Sequence, residues 1–389
     1  MVRPVVRIAP NEVDVSDRDA AREIHRARGG FLKSSFYTTA GKVQSLFSTT
    51  DPTFHSNRRR LLGPCFTEAS LSSLEPVILE RVRLAVRKLG DESKTTGSAD
   101  VLKWWTLLAM DIIGELSFGD SFHLLEYGKA SSCPLSHVAH ARQRIFAYNK
   151  ERVARYMQLV GTNPDITKNT LFTSLLKDAS SGLTEFDLTV EAQSYITAGT
   201  DTTGVTLTYL VYAVCQDKKI QDTLVRELQS VPDDLTHRDV RDLPYLNCVV
   251  EEALRRYGAA PGCLPRVVPS EGATLAGQHL RSGTIVSTQA YSVHRDPEAF
   301  PNPEGFDPSR WENPSKKMKD AFMAFGTGPR GCIGIHLARM ELRLAAALFF
   351  RTFPNARIST KDGMSDSDME ENISFLLMPK GHRCLVEVG

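Results

Sequence analysis

The chain has 389 residues, 41% hydrophobic and 24% charged, which is enough to bury a large core, and length alone leaves room for two or three domains. A net charge of +1, with no Lys/Arg block and no aromatic-basic stripe, argues against nucleic acid as a partner. The seven cysteines lack the density and spacing of a secreted disulfide scaffold and fit a reducing compartment, and no apolar run approaches the roughly 18–20 residues that span a bilayer.

The chain opens on Val5-Val6-Arg7-Ile8 and Val13-Asp14-Val15, alternating segments about Pro10-Asn11 that predict a strand pair rather than a signal peptide. Ser16 is placed to cap a helix over Arg18–His25. In His55-Ser56-Asn57-Arg58-Arg59-Arg60, His55 and Arg59 stand i, i+4 on one helix face. Arg58 and Arg60 read as a solvated basic face, or as a docking surface for an acidic redox partner. Helical apolar spacing follows over Leu74–Leu89, with Pro76 in the tolerant first turn, and over Leu102–Leu116, where Trp104 and Trp105 read as core. Asn149–Met157 and Leu171–Leu176 read as further helices.

From about Ala192 to Cys215 an apolar stretch predicts a long buried helix with Ala198-Gly199-Thr200-Asp201-Thr202-Thr203 at its middle. The Thr202 hydroxyl is expected to bond the i−4 carbonyl of Ala198 and open the helix to water. Threonine-rich helices occur widely, so alone this segment says little. Leu224–Gln229 and Tyr245–Arg256 continue the helical pattern, and the latter contains Glu252-Ala253-Leu254-Arg255. An acid and a base at i and i+3 are ordinarily a solvated pair worth roughly 0.2–0.5 kcal/mol. Arg266–Val268, Leu275–Ala276 and Ile285–Gln289 read as short strands, and the Pro- and Asp-rich stretch 302–314 as a loop. No internal repeat stands out.

The most specific signal comes late, in Phe325-Gly326-Thr327-Gly328-Pro329-Arg330-Gly331-Cys332-Ile333-Gly334. Gly328, Pro329, Gly331 and Gly334 permit a tight turn and close approach of backbone to a flat cofactor. Ile333, Leu337, Met340, Leu344 and Leu348 then recur at helical spacing, which puts Cys332 at a helix N-terminus, where an anion is favoured and a thiolate is poised. Arg330 is a fixed cation suited to a carboxylate. The other six cysteines form no Cys-x-x-Cys pair, so neither a zinc ribbon nor an iron–sulfur cluster is indicated.

This segment resembles the cytochrome P450 family, whose pattern Phe-x-x-Gly-x-Arg-x-Cys-x-Gly it matches without a mismatch. The other matches fall in the family's order. Ala198–Thr203 resembles its oxygen-activation motif, Glu252-x-x-Arg255 its Glu-x-x-Arg signature, and Arg310 in Phe306-Asp307-Pro308-Ser309-Arg310-Trp311 the partner completing a structural Glu–Arg–Arg cluster. Ser309 stands where the family often has Glu. The resemblance implies a mainly α fold with a small β-sheet region, one haem-thiolate domain over 1–389 and haem b with Cys332 as axial ligand. Phe325, Gly326, Gly334 and Ala198 would then lie against the haem, with Arg330, His55, Arg59 and Arg266 on its propionates. His294 matches a family pattern but reads as structural.

The reaction implied is monooxygenation of a hydrophobic small molecule by O2, in secondary metabolism of the fungal microsomal type. Asp201 and Thr202 would relay protons. NADPH would act only through a flavoprotein reductase, since no Gly-x-Gly-x-x-Gly pattern is present. Ile196, Ala259, Leu264, Ile373, Ser374 and Phe375 are the candidate substrate contacts. The family also implies a monomer inside the cell, at the cytosolic face of the endoplasmic reticulum. Relative to microsomal members the chain starts late, without an anchor, as a truncation or a soluble form.

The segment 119–191 is shorter than in typical members, with Lys129–Pro134 a candidate junction where sequence is absent. Two rival readings stand beside monooxygenation: an oxidative coupling or cyclisation enzyme, which the Asp201-Thr202 pair does not argue against, and, from the late start and short middle segment, a haem-binding protein without activity.

Overall fold

The computed structural model describes residues 4–39, 43–129, 138–162, 169–177 and 182–388. Its contacts divide the chain into two compact units. One comprises Met1–Arg59, Glu251–Ile333 and Ile373–Leu377; the other comprises Arg60–Val250, Gly334–Asn372 and Met378–Gly389. Each draws on segments far apart in sequence, so long-range pairing is what makes each compact.

The first unit is organised on a five-stranded sheet. Val5–Ala9 pairs antiparallel with Glu12–Val15, as their alternation predicts. Glu12–Val15 then runs parallel to Ile285–Ser287, which pairs antiparallel with Arg266–Val267, which in turn pairs with Leu32–Lys33. In that last register Lys33 lies opposite Arg266. The inward residues Val13, Val15 and Val286 pack with Ala20 and Ile24 of the helix Arg18–His25.

That helix has the predicted bounds but a different cap. The extended residue at its start is Asp17, whose carboxylate accepts from the Ala20 amide at 2.7 Å, while the Ser16 amide bonds the Pro4 carbonyl. Two strands are also displaced from expectation. Ala276 adopts φ 47° and turns the chain, so the strand there is Ala273–Leu275. The other ends at Ser287, after which the Gln289 side chain donates to Asp14. Within 302–314 the chain makes a 3-10 turn, Pro308–Trp311.

The second unit is helical. Val101–Phe118 is buried on nearly all sides, with Trp104 and Trp105 in the core and the Trp105 ring edge-on to Phe349 at 5.9 Å. The long helix Glu185–Gln216 begins before the apolar run, because Thr184 and Asp187 form a capping box. Its apolar face, including Leu188, Val205, Leu207, Leu210 and Val214, is buried. Glu75–Thr96, Lys218–Leu228, Val138–Thr162, Thr173–Lys177 and Ile335–Thr352 are the other helices expected from sequence, and Ala99–Asp100, Leu385–Glu387 and Arg357–Ile358 form a three-stranded sheet. Of the candidate junction Lys129–Pro134, residues 130–134 lie outside the described residues. No described helix is long and apolar enough to cross a membrane.

Candidate functional site

The loop before Cys332 is held by its own backbone. Gly326 N donates to Met323 O at 2.9 Å, Gly331 N to Gly328 O at 3.0 Å and Cys332 N to Phe325 O at 2.8 Å. Gly328 is obligatory here and Gly326 is favoured. Gly326 and Gly328 have φ of 66° and 68°, and a Cβ on Gly328 would collide with the His25 carbonyl. Gly331 and Gly334 have φ of −58° and −87°, so the expected tight turn is not made by them. The following helix starts at Ile335 with Gly334 as N-cap. Cys332 thus stands just ahead of the helix terminus rather than in it, with its thiol exposed. The described cysteines form no disulfide.

Around this loop the first unit gathers cations held by neutral oxygens. Arg59, on the helix Pro52–Leu62, donates to Gly331 O at 2.8 Å, and Arg330 to Thr49 O at 2.8 Å. Arg266 donates to the Tyr37 hydroxyl at 3.1 Å and to Pro265 O at 3.0 Å. Lys33 Nζ donates to Phe47 O at 2.5 Å and sits 3.9 Å from the centre of the Tyr37 ring. His55 is buried in the same unit. Among the described residues none of these five bonds a carboxylate, and Asp51 exerts only a distant pull on Arg330.

The electrostatic consequence is mutual. Burial, then Arg330, Arg59 and Lys33, bring His55 down to about 4. Burial, then Arg266, bring Arg330 down to about 10. Basic groups that are buried (Lys33, His55, Arg266) or half-buried (Arg59, Arg330) and have no counter-anion among the described residues resist carrying charge unless an anion completes the set, and a cofactor carrying two carboxylates, as haem b does, fits. Arg58 departs from expectation: it is buried, with its guanidinium 5.0 Å from the centre of the Phe54 ring, whereas Arg60 is exposed.

The Glu–Arg–Arg cluster forms as expected and is larger than the sequence pattern suggests. Arg255 forks onto Glu252 at 2.8 and 2.9 Å, and Arg310 Nε adds a bond at 3.0 Å. The Asp307 amide and the Trp311 indole each donate to the same carboxylate at 2.8 Å. Arg255 also donates to the carbonyls of His294, Pro303 and Gly305. The helix pair read at first as a solvated bridge is fully buried. Ser309 caps locally, donating to Asp307 Oδ1 at 2.6 Å. His294 is structural, as read: Nδ1 bonds Arg255 O at 2.8 Å and Nε2 accepts from the Met323 amide at 2.9 Å, which requires a neutral ring, and burial holds its pKa down to about 3.

In the second unit the Thr202 hydroxyl donates to Ala198 O at 2.6 Å, the expected i−4 bond, and the helix runs unbroken through it. The anticipated opening is therefore not a break in the ladder. Ala198 and Asp201 are exposed, and the protein packed around the Asp201 carboxyl raises its pKa by desolvation. One neighbour escaped sequence reading: the buried Glu341 hydrogen-bonds Thr203, and burial lifts its pKa to about 8.

Of the candidate substrate contacts, Ile196 is buried in the second unit. In the first unit, Ala259 O accepts from Leu377 N at 2.9 Å and Ser374 N bonds Leu376 O. Phe375 rests 6.2 Å, centre to centre, from both Phe36 and Phe47, and Ile373 is exposed. Leu264 is packed mainly against the core formed by Ala290, Val293 and Phe300.

A sequence model of the family described as Cytochrome P450 matches residues 10–135 and 134–386. The chain is 45% identical to the cytochrome P450 monooxygenase tazI of Aspergillus terreus, covering 99% of this chain and 86% of that protein. It is 40% identical to azaI of Aspergillus niger, over 99% and 94% of the two chains, and 35% identical to stcB of Emericella nidulans, over 98% and 81%. Both are also cytochrome P450 monooxygenases. The alignment with tazI spans 421 positions against 389 residues here, so at least 32 positions have no counterpart in this chain. The two family matches meet at residues 134–135, at the edge of the expected junction.

Proposed function

The chain belongs to the cytochrome P450 family, and from that premise we propose that it inserts one oxygen atom of O2 into a hydrophobic organic substrate of secondary metabolism. The observation that carries the proposal is the exposed Cys332, at the end of a loop whose own unit supplies a set of basic groups with no carboxylate bonded to them among the described residues. Haem b, the family's cofactor, supplies reductive activation of O2 when bound, with electrons from NADPH through a separate flavoprotein reductase. The second oxygen atom leaves as water.

The roles of this chain's residues are those the family resemblance implies, supported by their surroundings. Cys332 would give the sulfur that holds the iron, on a loop held by three backbone hydrogen bonds of its own. Phe325, Gly326 and Gly334 would present surface to the ring, and Arg330, Arg59, Arg266 and His55 would hold the two carboxylates. Glu252, Arg255 and Arg310 keep the preceding loop in shape and touch no reacting atom.

On the long helix, the family resemblance gives Ala198 the role of a small residue against the haem. Thr202 has its hydroxyl proton engaged by Ala198 O, so its oxygen is free to accept. The raised pKa of Asp201 brings its carboxyl nearer to carrying a proton at neutral pH. Ile196, Ala259, Leu264, Ile373, Ser374 and Phe375 contribute substrate contacts of mixed small and apolar character. We place the protein as a monomer at the cytosolic face of the endoplasmic reticulum, following the family.

The test is the visible spectrum of the dithionite-reduced protein under carbon monoxide, beside Cys332→Ala. A strongly red-shifted Soret band that is lost in the variant is expected; a band that survives, or no bound haem, overturns the proposal. Isotopic oxygen recovered in the product separates insertion from oxidative coupling.

A further inference from the structure

Lys33 is not part of any recognisable motif, yet its position is unusual. It lies directly opposite Arg266 across an antiparallel strand pair, an arrangement that puts both side chains on one face of the sheet and is unfavourable for like charges. Both are buried, at 7% and 4% exposure. Between them stands Tyr37, whose ring lies under Lys33 Nζ and whose hydroxyl is bonded by Arg266.

The groups facing Lys33 come from several elements, and they give it little relief. Arg266 and Arg330 both act on it, from a strand and from the turn before Cys332. His55, on the helix Pro52–Leu62, feels Lys33 as a like charge together with Arg59. Its polar contact is a neutral oxygen, Phe47 O, and its other neighbours are the Tyr37 and Phe47 rings. Asp51 acts on Arg330 and is not bonded to Lys33. Charging Lys33 opposite Arg266, against rings and carbonyls, is costly unless a fixed anion enters between them.

We propose that Lys33 is a further anchor for the carboxylates of haem b, an ammonium that the entering anion recharges. This rests on the haem-thiolate reading above. Without the anion, burial, then Arg266 and Arg330, bring Lys33 down to about 6, so near neutral pH the amine is largely uncharged. A neighbouring carboxylate favours the charged form and raises that pKa again. Haem entry is therefore coupled to uptake of one proton above about pH 6. Its affinity falls as pH rises, by at most about tenfold per unit.

The experiment follows haem transfer from the purified holoprotein to excess apomyoglobin between pH 6.5 and 8.5, in wild type, Lys33→Met and Lys33→Arg. Wild type is expected to lose haem faster as pH rises. Lys33→Arg, which stays charged, should be slow with a flatter profile. Lys33→Met should be fast with a flatter profile, converging on wild type at the alkaline end. Should Lys33→Met fail to fold, the Arg profile decides. A Lys33→Arg or Lys33→Met slope equal to that of wild type overturns the role of Lys33 while leaving a normal thiolate spectrum in place. Absence of that spectrum in wild type would instead remove the haem-thiolate reading itself.

Discussion

Replacing Glu252 by glutamine keeps side-chain volume and removes one charge from the centre of the buried cluster. Glu252 accepts from Arg255 Nη2, Arg310 Nε and the Asp307 amide on one oxygen, and from Arg255 Nε and the Trp311 indole on the other. Glutamine has one acceptor oxygen. Whichever way the amide is turned, its NH2 faces at least two of these donors, one of them a guanidinium. Unsatisfied buried donors cost about 1–3 kcal/mol each, and breaking a buried ion pair about 3–5 kcal/mol. We expect Glu252→Gln to lose about 3–5 kcal/mol, a large share of the roughly 5–15 kcal/mol that keeps a domain folded. Arg310→Lys preserves the charge and gives up the fork onto Pro301 O and Glu252, so its loss should be about 1–2 kcal/mol. Urea unfolding of the holoproteins, followed by far-ultraviolet circular dichroism and by the Soret band, measures both. A Glu252→Gln midpoint equivalent to less than about 1 kcal/mol below wild type would refute the view that the carboxylate charge holds the cluster together.

Two further outcomes are expected. The folded-state pKa of Glu341 is raised from 4.5 to about 8, so the folded protein binds more protons than the unfolded chain across that interval, and the stability this group contributes declines as pH rises through it. Glu341→Gln should flatten the dependence of the thermal midpoint between pH 5 and 8, and an unchanged slope would show that another group sets it. Gly328→Ala forces a left-handed residue at φ 68° to carry a methyl group directed at the His25 carbonyl. The loop must move, and haem content at purification should drop by more than half relative to Pro329→Ala, an exposed neighbour; equal haem content in the two would contradict the collision.

The parts of the fold legible in the sequence were those encoded locally. Arg18–His25 followed from a capping signal, the helices around Trp105 and Thr202 from apolar runs, and the strand pair at the start from alternation. Where two equivalent signals adjoined, only geometry chose between them, as with Ser16 and Asp17 at one helix cap. Arg58 looks solvated in sequence because a run of three arginines carries no hint that one of them is buried, with its guanidinium over Phe54 one turn earlier on the same helix. Trp311 and the Asp307 amide were invisible as ligands of Glu252 because 59 and 55 residues separate them from it. Lys33 was missed for the same reason, since its significance depends on a register with Arg266 that no local pattern specifies.

The indole bound to Glu252 has an optical consequence. Of the three tryptophans in the chain, Trp104 and Trp105 are neighbours on one helix of the second unit, and Trp311 alone belongs to the first. With phenylalanine at 104 and 105, fluorescence would come from a single reporter whose N–H is tied to the hub of its own unit. Folding could then be timed there separately. That hub closes loops of more than fifty residues onto a helix, and contacts so distant in sequence form slowly compared with the helix itself. The emission of Trp311 should therefore settle after most helical signal has appeared, marking the moment at which the first unit acquires its shape.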